Sequence, residues 1–231
     1  MTLKLITFDL DNTLWHTDPV IAKAEQVQWQ SIISHYPKAE TLFTPESYKQ
    51  LKYTVAQKNP HLRHKLSFLR QEILRQLFLQ CGLSQTQAQL FSQQVFADFL
   101  HARNQIELFP GALKLLQNLQ SKYQVIALSN GNADLEKIGI KPLFDAHFHA
   151  ENVAQPKPHN DMFIAALEHA NVSAAESLHI GDHPEQDIEA AQKMGFKTAW
   201  VNLLQQSWPA HIVRADHDIT HLDQLSKLLK V

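Results

Sequence analysis

The sequence predicts an α/β fold: a doubly wound parallel sheet, interrupted behind its first strand by an all-α insert. Three observations predict it. Short apolar runs at 5–8, 125–128 and 178–180 read as strands buried on both faces, as parallel strands are. From Pro110 onward such runs alternate with helical patterns, the rhythm of βαβ units. Between His16 and about Gln105, apolar residues recur only at helical spacing and no strand alternation appears.

The first strand, Leu5-Ile6-Thr7-Phe8, runs into Asp9-Leu10-Asp11-Asn12-Thr13-Leu14, whose two carboxylates cannot continue a buried strand. Asp18-Pro19 reads as a helix start, Asp as the cap and Pro at the first helical position of a helix over 20–36. Thr44-Pro45 opens the next helix and Asn59-Pro60 closes it. Leu62, Leu66, Leu69, Ile73 and Leu77 keep a 3.6-residue period up to Cys81-Gly82, with Gly as the stop. Ser84 and Gln87 form a capping box for a helix that carries Ala88, Phe91, Val95 and Phe99 on one stripe. Beyond Pro110-Gly111, helices are expected at 112–120, 134–138, 161–170, 188–194 and 222–229. Strands are expected at 124–129, 146–150, 177–180 and 198–201. The division makes 1–16 and 108–231 one α/β core, with 17–107 as a helical domain inserted into it.

The bulk numbers narrow the function. A chain of 231 residues is long enough for one large domain with an insert. A net charge of -2, with no extended basic cluster, offers no electrostatic basis for binding nucleic acid or a membrane surface. No apolar run is long enough to cross a bilayer, and no leader pattern opens the chain. The single cysteine, Cys81, rules out an internal disulfide and reads as a helix-packing residue. A cytoplasmic location is therefore expected, and a monomer by default. The histidines are scattered, with no pair at the helical spacing of a zinc site.

In an open α/β sheet, ligands gather beyond the carboxyl ends of the strands. Here those ends carry Asp9 and Asp11, then Ser129-Asn130-Gly131-Asn132, then Gly181-Asp182 followed by Asp187. Between the last two, Pro156-Lys157-Pro158 sets a lysine ahead of a helix. Adjacent carboxylates resist joint ionisation unless a cation compensates, and oxygen ligands suit Mg²⁺. Carboxylates, a hydroxyl and an ammonium on one rim can clamp a phosphate. Singly, each has a plainer reading. Ser129 would be a helix cap, Lys157 solvated surface, Gly181-Asp182 a turn, and Asp187 a first-turn helix acid. His179 and His183 are read as structural. Asn130-Gly131 could turn a hairpin, but the helical segment behind it favours strand–turn–helix. Their order on successive strand ends carries the weight.

With these residues the chain resembles the haloacid dehalogenase-like phosphohydrolase superfamily over nearly its whole length. Asp9-Leu10-Asp11-Asn12-Thr13-Leu14 is similar to its D-x-D-x-T motif, Ser129-Asn130-Gly131 to its second motif and Lys157-Pro158 to its third. Gly181-Asp182 with Asp187 resembles the acidic fourth. Thr7-Phe8-Asp9-Leu10-Asp11, Asn130-Gly131-Asn132 and Leu178-His179-Ile180-Gly181-Asp182 look most similar to the bacterial flavin mononucleotide phosphatases of that superfamily. The resemblance implies a Rossmann-like core with a type 1 helical cap that selects the substrate. It implies Asp9 as nucleophile, forming an aspartyl-phosphate, and Asp11 as general acid and then base. Mg²⁺ would be held by Asp9, the Asp11 backbone carbonyl and Asp182, with Asp187 orienting waters or Lys157 behind them. Ser129, Asn130 and Lys157 would hold the phosphate. The implied substrate is a small phosphorylated metabolite, flavin mononucleotide or a related riboflavin-pathway phosphate.

Trp15, Trp29 and Tyr36, on or near the first insert helix, offer stacking surface for an aromatic leaving group, as Arg63 and His64 do at a later helix. Packing of the insert's own interior is the alternative for Trp29 and Tyr36. His183-Pro184 departs from the smaller or acidic residues common behind the fourth-motif Asp and leaves its effect on the metal site open. The competing activities are a phosphatase for other nucleotides or sugar phosphates and a phosphosugar mutase. A dehalogenase has no task for Asp11 and Asp182. A non-catalytic binding module would be expected to lack one of Asp9, Asp11, Lys157 or Asp182, and all four are present.

Overall fold

The computed structural model describes residues 2–231. Two compact units divide the chain, one reaching to Thr17 and resuming over Ile106–Val231, the other Asp18–Gln105. β1 (Leu5–Phe8) opens the first unit. The helical unit holds α1 (Thr17–His35), α2 (Ala39–Leu42), α3 (Pro45–Lys58), α4 (Leu66–Gln80) and α5 (Gln85–Arg103). The first unit then continues with α6 (Ala112–Gln120), β2 (Gln124–Ser129), α7 (Leu135–Ile138), β3 (Ala146–His149) and α8 (Asp161–Ala170). Next come β4 (Ser177–Gly181), a π-helical turn over Pro184–Glu189, α9 (Ala190–Lys193), β5 (Lys197–Val201), β6 (His217–Ile219) and α10 (Asp223–Leu229).

The six strands form one all-parallel sheet in the order β3-β2-β1-β4-β5-β6, so the fold is the doubly wound α/β architecture that the alternating strands and helices imply. β1 lies between β2 and β4, with Phe8 opposite Ala127 on one side and Ile180 on the other. The Asp9 N–H donates to the Ile180 carbonyl at 2.8 Å, which carries the ladder one residue past the strand. One sheet face packs Ile6, Phe8, Val125 and Ile180 against α6 and α10. The other packs Leu5, Ile126 and Leu128 against α8 and α9. Each such side chain, wholly buried, stabilises the fold by about 1.5–3 kcal/mol, and together they fix β1 where its last residue meets the sheet rim.

The helical unit has a core of its own, built around Ile32, Leu74, Leu77, Phe78 and Val95. Thr44 and Ser84 accept from the N–H groups of Ser47 and Gln87 and are answered by those side chains, two reciprocal caps. Cys81 packs within this core, and the Tyr36 hydroxyl donates to its carbonyl at 2.9 Å, so Tyr36 serves the unit's interior. Trp29 and Tyr48, ring centroids 5.6 Å apart, line a cleft of about 640 Å³ with Glu25, Gln28, Phe43 and Lys52.

The differences from expectation have local causes. α1 begins at Thr17, so Asp18 and Pro19 lie in its first turn, where proline's missing N–H has no partner to lose. The helix expected at 188–194 is a π turn followed by the short α9. α2 and β6 were not expected, because three or four residues are too few to display a period. Leu62 belongs to a separate 3₁₀ turn ahead of α4.

Candidate active site

Asp9 leaves β1 at the rim, and the chain turns back on itself directly behind it. Asn12 takes the left-handed conformation, φ 60°, which asparagine tolerates, and the Thr13 and Leu14 N–H groups both donate to the Leu10 carbonyl. With Leu10 and Leu14 anchored in the core, Thr13 Oγ1 is brought to donate to Asp9 Oδ2 at 3.1 Å. It also lies 3.5 Å from Asp182 Oδ1.

Lys157 is buried, and its Nζ donates to Asp9 Oδ1 at 2.8 Å and to Asp187 Oδ1 at 2.5 Å. Asn130 holds the lysine's backbone from both sides: its Oδ1 accepts the Lys157 N–H at 3.0 Å and its Nδ2 donates to the Lys157 carbonyl at 2.7 Å. Nδ2 also donates to Gln186 Oε1, so the Asn130 side chain is committed to the loop rather than turned toward a ligand. Ser129 is buried at the end of β2, its Oγ accepting the Gly131 N–H at 2.9 Å.

The acidic pair at the end of β4 is set by two backbone features. In the π turn the Ile188 N–H reaches the His183 carbonyl five residues back, and such wide turns recur at functional sites. At Gly181 a Cβ would come within 2.4 Å of Asp187 Cγ, so only glycine lets that carboxyl group approach. Asp187 Oδ1 also meets His179 Nε2 at 3.2 Å, and its Oδ2 accepts the His183 N–H at 3.0 Å. The exposed His183 ring turns the other way, its Nδ1 accepting from the N–H groups of Glu185 and Gln186 as a helix cap. Asp182 is half-buried, and the Trp200 indole donates to its carbonyl at 2.7 Å.

Asp9, Asp182 and Asp187 can each direct one carboxylate oxygen within 4.8 Å of the others, so this triad could hold a metal ion. Asp11 stands apart from it. Its Oδ1 accepts from Trp15 Nε1 at 3.0 Å and from Thr17 Oγ1 at 2.7 Å. Trp15 is wholly buried in the first unit's core, which corrects its expected part as a stacking surface.

Charge at the rim is out of balance. Burial, Asp9 and Asp187 push the Asp182 carboxyl up to about 9. Burial raises Asp9 to about 7 even though Lys157 pulls it down. Burial also works against the Asp187 carboxylate, but Lys157 and His179 outweigh it and hold it below the usual range. Lys157 stays charged against its own burial because Asp187 and Asp9 flank it. One ammonium thus serves three carboxyl groups. Thr13 stood inside a quoted motif without a role assigned to it. Thr17 and Gln186 gave no signal, and Trp15 and His179 were given other roles, because only the turns and strand pairing bring these four to the site.

A family model described as a haloacid dehalogenase-like hydrolase matches residues 3–195. The chain belongs to this family. This haloacid dehalogenase-like hydrolase is 28% identical over 231 residues to the 5-amino-6-(5-phospho-D-ribitylamino)uracil phosphatase YigB of Escherichia coli, covering 98% of this chain and 96% of that one. It is 26% identical over 204 residues to a glyceraldehyde 3-phosphate phosphatase of Pyrococcus abyssi, covering 86% of this chain and 81% of the relative. Among solved structures, a 2-haloacid dehalogenase from Pseudomonas syringae pv. Tomato superposes with a TM-score of 0.93 at 32% identity, covering 99% of each chain. Among the described residues of this hydrolase, no helix is long and apolar enough to cross a membrane.

Proposed function

We propose that this chain is a phosphomonoester hydrolase that works through an aspartyl-phosphate on Asp9, with Mg²⁺ as cofactor and a riboflavin-pathway phosphate as substrate. The observation that carries this reading is the setting of Asp9, a buried carboxylate tied to Lys157 at 2.8 Å and within ligand reach of two further carboxylates. The residues fit the ion. Burial and neighbouring carboxylates raise Asp182 and Asp9 above the usual carboxylate range even beside Lys157, and an all-oxygen donor set suits Mg²⁺. Asp9, Asp182 and the Asp11 backbone carbonyl would hold it, with Asp187 behind them. Bound there, the ion would neutralise charge on the nucleophile and on the phosphate oxygens.

The chain's own residues supply the remaining chemistry. An Asp9 oxygen attacks phosphorus, the bond to the leaving oxygen breaks, and Asp11 gives that oxygen its proton. Asp11 then takes a proton from the water that attacks the aspartyl-phosphate at phosphorus, which frees Asp9 and inorganic phosphate. Trp15 and Thr17 keep the Asp11 carboxyl group in one orientation for both steps. Lys157 offsets charge beside Asp9, and the Ser129 hydroxyl donates to a phosphate oxygen. Asn130 acts on the same phosphate by fixing the Lys157 loop.

Likeness to YigB along nearly the whole chain supports 5-amino-6-(5-phospho-D-ribitylamino)uracil or flavin mononucleotide as substrate. Likeness to the Pseudomonas dehalogenase favours a second reading, halide displacement by Asp9. Against it, a departing halide needs no proton from Asp11 and presents no phosphate charge for a carboxylate-bound cation to screen. The test is release of free phosphate from an aryl phosphate with and without Mg²⁺. A panel of riboflavin-pathway phosphates, sugar phosphates and nucleotides follows, with a 2-haloacid assayed for halide. Mg²⁺-dependent phosphate release, fastest with the riboflavin-pathway compounds, is expected. Halide without phosphate would overturn the reading, and phosphate retained on the product would indicate a mutase.

A further inference from the structure

We infer that His179, oriented by Thr7, is a positioning residue that sets where Lys157 stands between Asp9 and Asp187. The inference rests on the hydrolase reading of this site and adds to it a residue from inside the sheet. His179 lies on β4 directly opposite Thr7 of β1, and both side chains are wholly buried. Phe163 of α8 packs edge-on against the imidazole, ring centroids 5.0 Å apart at 81°, so the ring is held in its plane. Its two nitrogens face different partners. Nε2 lies 3.2 Å from Asp187 Oδ1 and Nδ1 lies 2.8 Å from Thr7 Oγ1.

These partners select one tautomer. A neutral imidazole carries one N–H. The Asp187 carboxylate only accepts, which puts that hydrogen on Nε2. Nδ1 is then bare and takes the Thr7 hydroxyl proton. The other acceptor near that hydroxyl, the Leu178 carbonyl, is farther at 3.5 Å. Donation therefore runs Thr7 to His179 to Asp187, while Lys157 donates to both Asp187 and Asp9.

The chain of contacts matters because one oxygen is shared. Asp187 Oδ1 accepts from His179 and from Lys157, and each donor lowers the electron density left for the other. Without His179, Oδ1 would bind Lys157 alone and draw its ammonium away from Asp9. The surroundings argue against a packing role. Leu5, Ile126, Leu128, Met162 and Phe163 line this face of the sheet, where an apolar side chain would fill the space with no polar group to desolvate.

The test uses the full chain with His179→Leu, His179→Gln and Thr7→Val. His179→Leu is expected to lower kcat about tenfold or more, on the scale of one lost electrostatic contact, while KM stays within about twofold. The glutamine amide reaches the place of Nε2, so His179→Gln should recover most of kcat. Thr7→Val, nearly isosteric, should lower kcat about two- to tenfold, the worth of one hydrogen bond, and should have no further effect beside His179→Leu. Nitrogen-15 spectra of the wild-type imidazole should show Nε2 protonated. A crystal structure of His179→Leu should show Nζ of Lys157 out of hydrogen-bond reach of Asp9. Equal kcat for the leucine and glutamine variants, additive effects of Thr7→Val, or a proton on Nδ1 would each overturn the inference. Were His179→Leu not to fold, Thr7→Val and the tautomer would still decide it. A wild-type protein that releases no phosphate would sink the hydrolase reading instead, and the tautomer and the position of Lys157 would be judged apart from it.

Discussion

Binding of a divalent cation among Asp9, Asp182 and Asp187 should expel protons, in a number that changes with pH. Asp182 is pushed up to about 9 by burial and its carboxylate neighbours, and Asp9 to about 7, while Asp187 is already ionised. Between about pH 7 and 9 only Asp182 carries a proton, so each ion that binds displaces one. Below about pH 7 Asp9 carries another, and two must leave. Because ligands bind metal only when deprotonated, the apparent dissociation constant should fall about tenfold per pH unit in the upper window and up to about a hundredfold per unit below it. Stability without metal follows the same groups. Both folded-state values are raised above the ordinary value of 3.8, so what they contribute is complete below 3.8 and is lost as pH rises through about 7 and then about 9. The metal-free protein should therefore melt lower at alkaline pH, and Mg²⁺ should restore the loss. Titration calorimetry in two buffers of different ionisation enthalpy counts the protons, and thermal melts follow the stability. Asp182→Asn should abolish the proton released in the upper window. Affinity that does not change with pH, or binding at pH 8 with no proton released, would refute the reasoning.

Asp9→Asn is expected to release no phosphate while melting at or above the wild-type temperature, since it removes a like charge from a buried cluster. Turnover by a clean preparation of that variant would reject Asp9 as nucleophile. Gly181→Ala sets a methyl group 2.4 Å from Asp187 Cγ, and denaturant unfolding should show a loss of about 1–3 kcal/mol together with activity. Unchanged stability would mean that the π turn yields freely. Trp15→Phe keeps most of the buried volume but removes a donor to Asp11 Oδ1, so kcat should drop about two- to tenfold. An unaltered kcat would show that Trp15 does not orient Asp11.

What the sequence disclosed, and what it hid, follows from the range of the forces involved. β1, β2, α6 and α8 stand where apolar period and local punctuation put them, because strand burial and helix caps act over a few residues. Polar residues at the ends of apolar strands gave Asp9, Lys157, Asp182 and Asp187, and these four do converge. Trp15 was assigned to the wrong surroundings, because the left-handed turn at Asn12 and not a helical period carries its indole to Asp11. His179 looked like one polar residue in a strand. Its partner Thr7 becomes visible only when β1 and β4 pair, a register that nothing local encodes. The side-chain amide of Asn130 bonds the Lys157 loop and Gln186, contacts that only the tertiary fold reveals.

The central placing of β1 has a consequence for biosynthesis. Leu5–Phe8 leaves the ribosome before the rest of its sheet, and its neighbours β2 and β4 are made only after the entire segment Asp18–Gln105. At about 5–20 residues per second, the wait for a first pairing partner is on the order of ten seconds. Throughout that time an apolar segment with open backbone donors and acceptors has nothing to pair with, while the helical segment can already collapse from local contacts. Nascent chains halted before β2 should therefore be the ones that bind holdase chaperones, and those extended past β4 should be released.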